Sequence, residues 1–102
     1  MKKVLEKIEH QGETLALILR QGFEEAGINF FTPRDNPLQL GILKHRQGHK
    51  IKPHIHKNLP KTITRVQEVL HIEYGKVEAE FYNACGKVVV NTILNPGDTI
   101  LL

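Results

Sequence analysis

The chain has a single cysteine and no long apolar run, and between Lys44 and Arg65 it has neither an acidic residue nor a Phe, Tyr or Trp. Each absence removes a class of explanation. Cys85 cannot form an internal disulfide, so nothing in the sequence asks for an oxidising compartment. It lies in Asn83-Ala84-Cys85-Gly86, a turn-like stretch with no second cysteine for a zinc knuckle, and reads as an inert turn residue rather than a reactive thiol. No segment approaches the roughly 20 apolar residues of a membrane helix. Glu6, Lys7 and Glu9 follow the positive start Met1-Lys2-Lys3 where a signal peptide would turn apolar. A cytoplasmic protein with no membrane partner is expected. The basic stretch lacks the aromatic platforms on which single-stranded bases stack, so no nucleic-acid partner is expected either. No internal repeat, linker or low-complexity segment divides the sequence.

What is present is ordinary for one small domain: 102 residues, 40% of them apolar and 25% charged, with a net charge of +3. One domain over residues 1–102 is expected, with 1–12 as an N-terminal extension. There Val4, Leu5 and Ile8 fit either a short amphipathic helix or a first strand. From residue 13 onward the pattern is β. Residues 14–20 contain a short continuous apolar run suited to a buried strand. Residues 21–31 are ambiguous, 32–37 form a loop, and 38–45 read as a strand. A turn at Arg46-Gln47-Gly48 leads into an expected strand at 49–56, whose Pro53 suits a sheet edge or a bulge. Asn58-Leu59-Pro60 is a further loop. The longest alternation, 62–74, places Val66, Glu68, Leu70, Ile72 and Tyr74 on one inward face. Strands at 77–82, 88–94 and 99–102 follow, separated by turns at Gly75-Lys76, 84–87 and 95–98. Short strands with turns at this spacing predict an all-β antiparallel sandwich or barrel.

The chemistry gathers around Gly48-His49-Lys50-Ile51-Lys52-Pro53-His54-Ile55-His56 and Glu68. A separation of two puts His54 and His56 on one face of a strand. Two imidazoles and a carboxylate are a usual donor set for a divalent transition metal. By itself a His-x-His pair in a chain with six histidines reads equally well as a metal-free surface pair. Glu68 strengthens the metal reading, because a carboxylate among Leu70 and Ile72 is costly to bury unless paired or metal-bound. His49 falls on the opposite strand face, His71 alternates away from Glu68, and His10 and His45 carry no signal.

The order Gly48, His54, His56, Glu68, Gly75 resembles the first motif of the cupin superfamily, small β-barrels that hold one metal in the barrel mouth. Gly48-x5-His54-x-His56 and Glu68-x6-Gly75 match that motif, whereas eleven residues separate His56 from Glu68 where the family has three or four. Pro96-Gly97-Asp98 and the following Thr99-Ile100-Leu101-Leu102 are similar to the opening of the second motif, whose histidine is expected beyond Leu102. Gln67-Glu68-Val69-Leu70 and Phe81-Tyr82 are similar to runs in small single-domain cupins associated with surface polysaccharide synthesis. The resemblance spans residues 13–102. It implies a cupin-like jelly roll with its last strands beyond the chain, and His54, His56 and Glu68 as ligands of a divalent ion such as Zn, Fe, Mn or Ni.

Seven Lys or Arg residues from Lys44 to Arg65 read either as a solvated rim or as a positive collar that attracts an anion. On the second reading Lys50, Lys52 and Arg65 bind substrate, and Tyr74 is a weak proton donor whose alternative is core packing. The expected function is a metal-binding cupin acting on or sensing a small anionic metabolite, a carbohydrate intermediate being the favoured class. The alternative is a non-catalytic binding or structural cupin module with an incomplete or empty metal site. An apolar C-terminal strand, Ile100-Leu101-Leu102, is expected to leave an unpaired edge and hence to favour a homodimer.

Overall fold

A computed structural model describes residues 4–57, 60 and 62–102, so Asn58 and Leu59 of the expected loop lie outside the described residues. Eight strands and no helix are present among the described residues: β1 (Leu5–His10), β2 (Glu13–Leu19), β3 (Gly27–Phe30), β4 (Gly41–Lys44), β5 (Val69–His71), β6 (Val77–Tyr82), β7 (Val88–Leu94) and β8 (Thr99–Leu101). None of these residues therefore lies in a helix long and apolar enough to cross a membrane. Every strand pair is antiparallel, and the all-β expectation holds. The strands form three separate sheets, of order β1-β2-β8-β5, β3-β4 and β6-β7, rather than one closed barrel. By contact the chain divides into two compact units, Met1–Phe23 with Gln67–Leu102, and Glu24–Val66.

The first unit contains the core. β1 and β2 are joined at Gln11-Gly12, both with positive φ (50° and 77°), the backbone of a tight hairpin turn that matches strand twist. The N-terminal segment is thus a strand of the main sheet, which settles the choice between helix and strand. In register, Ile18 of β2 faces Glu6 of β1 and Ile100 of β8, and Ile100 faces Leu70 of β5. Ile8, Ala16, Ile18 and Ile100 form the buried face, and Leu94, Phe81, Ala79 and Val90 of the β6–β7 hairpin pack against it. This is a two-layer sandwich in miniature. Ile18 is fully buried at 0% exposure, and burial of such a side chain contributes about 1.5–3 kcal/mol.

In the second unit, β3 and β4 make a two-stranded ribbon whose loop is held by the Gln39 amide. Its nitrogen donates to the carbonyls of Pro33 (2.9 Å) and Asn36 (2.8 Å). None of the described residues between 24 and 66 is fully buried.

Three sequence expectations are corrected here. Residues 49–56 form no strand. Six of those eight residues are His, Lys or Pro; Pro53 has no N–H to donate, and Lys50 and Lys52 would repel on one strand face. The strand expected over 62–74 is reduced to Val69–His71. Beyond that short strand, Glu68 exchanges backbone bonds with Leu102 (3.2 and 2.8 Å). Finally, Ile100 and Leu101 are not an unpaired edge. β8 is a central strand with β2 on one side and β5 on the other, and Leu101 is buried.

Candidate metal-binding site

His54 and His56 are brought together without a strand. Their ring centroids lie 5.4 Å apart with planes inclined at 33°. Two imidazoles bound to one tetrahedral ion through 2.0–2.1 Å bonds have centroids separated by about 5 Å, so the pair already has nearly the spacing of two adjacent ligands. His54 Nδ1 lies 3.1 Å from the Lys52 carbonyl. A carbonyl oxygen only accepts, so Nδ1 is the donor of this contact and, in the neutral ring, Nε2 is the nitrogen that keeps a lone pair. A backbone carbonyl fixing one ring nitrogen is the usual way in which a metal-binding histidine is oriented. Both rings are exposed and open to an incoming ion.

Glu68 belongs to the other compact unit. The expected inward alternation does not hold here: Leu70 stands opposite the buried Ile100 in register yet is 43% exposed, Val69 is 45% exposed, and Glu68 is exposed as well. The desolvation argument for a metal therefore does not apply to it: water solvates this carboxylate. Among the described residues no three His, Cys, Asp or Glu side chains are gathered in a metal-holding group. Thus the pair His54/His56 is formed within the second unit, and Glu68 is an exposed residue of the first. Tyr74, expected on the inward face, is 86% exposed and lies past the end of β5, and Val66 is 94% exposed. Ile72 does pack against the core. His71 points to the face opposite Glu68, where Nδ1 meets Thr99 Oγ1 at 2.8 Å.

Charge is unevenly divided. Residues 24–66 contain eight Lys and Arg against three Asp and Glu, whereas the remainder has six against eight. Lys50, Lys52 and Arg65 are exposed. The rings of His54 and His56 are therefore surrounded in sequence by cations only, a setting that favours an anion beside any bound ion.

The most elaborate polar cluster centres on Arg20 and Asp98. Arg20 donates to Glu6 (2.8 Å), to Asp98 (2.8 Å) and to Thr92 Oγ1 (2.8 Å). Asp98 also accepts the N–H groups of Asn95 (2.8 Å) and Gln21 (3.1 Å). Burial pushes the Asp98 carboxyl upward, but the Asn95 N–H, Arg20 and the Gln21 N–H outweigh it and hold the group below its ordinary value. Burial lowers the Arg20 pKa, yet the bonds to Asp98 and Glu6 outweigh that effect and raise it. Both carboxylate oxygens of Asp98 accept from protein donors, so the cluster acts as a clamp of the fold. In the sequence Asp98 is read only as a turn residue and Arg20 only as a strand end. No local pattern joins positions so far apart.

Comparison of the chain with protein-family models, with curated proteins and with solved structures gives no match. The functional reading therefore rests on the residues themselves.

Proposed function

We propose that this chain is a metal-binding domain of the cupin kind, which holds one divalent transition metal through His54, His56 and Glu68 and acts on or senses a small anionic metabolite. The observation that carries the reading is the His54/His56 pair: 5.4 Å between rings, with Nδ1 of His54 held by the Lys52 carbonyl, which leaves Nε2 as the ligand atom. The motif spacing from Gly48 to Gly75 supplies the cupin resemblance and Glu68 as the oxygen donor. A divalent ion held by two imidazoles and one carboxylate supplies Lewis-acid chemistry at its open positions.

The chain's own residues contribute the rest. Lys50, Lys52 and Arg65 draw in a carboxylate or a phosphorylated sugar by field rather than by fixed contact. Tyr74 offers a phenolic proton at the exposed end of β5. A carbohydrate intermediate is the favoured class through the similarity of 48–82 to the polysaccharide-associated cupins. Pairing of two copies through an outer sheet edge, β1 or β5, belongs to the same proposal.

A second reading keeps the exposed histidine pair and gives it no catalytic role. On that reading the domain binds ligand or metal without turnover. Metal analysis after purification without chelators, then oxygen uptake with added Fe(II) and a panel of sugar-nucleotide and carboxylate substrates, separates the two. Stoichiometric metal with turnover of one substrate supports the enzyme. Stoichiometric metal with no turnover supports the binding module. Absence of metal after reconstitution with Zn(II) contradicts the metal-dependent enzyme and leaves only a module with an empty site.

A further inference from the structure

We propose that His45 and His49 form a second transition-metal site, separate from the one proposed at His54, His56 and Glu68. The two rings are stacked, with centroids 4.0 Å apart and planes only 14° from parallel. The stack is built by the backbone. His45 follows the end of β4, the chain turns at Arg46-Gln47-Gly48, and the His49 N–H closes the turn on the Arg46 carbonyl at 3.1 Å. Gly48 takes the left-handed conformation that the turn requires, with φ of 85°. The side chains at the two ends of the turn are therefore held next to each other before any ligand arrives, which removes much of the ordering cost of chelation.

The rings are exposed, and among the described residues neither has a hydrogen-bond or ion-pair partner, so their nitrogens are available. Two ligands on one tetrahedral ion need centroids about 5 Å apart, so the stack must open by about 1 Å. Rotation of exposed side chains supplies that movement. Two protein ligands leave the remaining positions to water or an anion, and imidazole donors favour Cu(II), Ni(II) and Zn(II) over Mg(II) and Ca(II).

The electrostatics give this site a distinctive signature. Lys44, Arg46 and Lys50 flank the pair, and no acidic residue occurs from Lys44 to Arg65. A dication is repelled by these charges at low ionic strength, so moderate salt, which screens the repulsion, strengthens binding. Most protein–cation sites, built on carboxylates, behave in the opposite way.

The test is a titration of the full chain with Zn(II), and in parallel with Ni(II), followed by calorimetry and by backbone and imidazole NMR. The wild type is expected to show signals of residues 45–49 responding in an event of their own, tighter in 150 mM than in 20 mM of a non-coordinating salt. His45→Ala and His49→Gln should each abolish that event while leaving the response of His54 and His56 intact. His54→Ala/His56→Ala should leave the event at 45–49 unchanged, so that failure of the first site and failure of this one are read separately. Far-UV circular dichroism establishes that each variant keeps its strands. The proposal is overturned if residues 45–49 do not respond to either metal. It is also overturned if their response is retained in His45→Ala and His49→Gln, or is lost together with that of His54 and His56 in any one of the variants.

Discussion

The guanidinium of Arg20 and the carboxylate of Asp98 meet at 2.8 Å across 78 positions of sequence, joining the end of β2 to the turn that opens β8. Their side chains are only 14% and 4% exposed, so the pair is desolvated on one side and must be bonded throughout. It is: Asp98 accepts from Arg20, Asn95 and Gln21, and Arg20 also holds Glu6 of β1 and Thr92 of β7. Four segments of the first compact unit are tied at one point. The central strand β8 is thereby fixed between β2 and β5, and with it the position of Glu68 opposite Leu102.

Asp98→Asn should therefore destabilise the protein by about 2–4 kcal/mol, because the amide keeps the volume but loses the charge and leaves donors unsatisfied. Urea denaturation at pH 7 measures it. A loss under roughly 0.5 kcal/mol, the size of an ordinary surface change, contradicts the clamp.

The same group predicts an acid limb. The folded pKa of Asp98 lies below its ordinary value, so its contribution to stability is fully present above that ordinary value, about 3.9, and is lost as the pH falls through the folded one. Stability measured from pH 7 down to pH 2 should fall below roughly pH 4, and the fall should be shallower in Asp98→Asn. Parallel curves for the two proteins are the contradicting result.

Ile18→Ala removes a fully buried large side chain, where the four-stranded sheet meets the β6–β7 hairpin. A cost of about 2–5 kcal/mol is expected, read as a lower thermal midpoint. Ile55→Ala, at a position 94% exposed, should be nearly silent in the same measurement.

The collar makes its own prediction. Neutralising Lys50, Lys52 and Arg65 to Gln should weaken binding of a phosphorylated sugar, and the weakening should shrink as salt rises. Affinity unchanged at low ionic strength shows that these cations are only a solvated rim.

Much of this fold is legible in the sequence where local chemistry and tertiary structure agree. Strands 77–82 and 88–94 appear at the expected bounds because alternation, the Asn83–Lys87 turn and a packed face all point the same way. The apolar run of residues 15–19 does become the buried strand β2. Alternation misleads at 49–56 and 62–67, since period-two spacing says that a segment can be a strand but not that a partner strand will meet it. The pair His54/His56 is legible from its spacing, although it arises from local backbone and a carbonyl contact rather than from a strand face. The stack of His45 on His49 is not legible, because residues four apart in an extended chain stand roughly 13 Å from each other. Here a turn produces the proximity. The Arg20–Asp98 clamp is invisible for the simplest reason: it is a property of three-dimensional pairing alone.

The most direct test of the proposed function is a Zn(II) titration of the wild-type chain followed through the imidazole signals of His54 and His56. One equivalent should saturate both rings, with His54 binding through Nε2 while Nδ1 keeps its proton toward Lys52, and Glu68→Gln should weaken that saturation. If His54 and His56 shift no more than His10, or if Glu68→Gln leaves the curve unchanged, the proposed metal site of His54, His56 and Glu68 is wrong.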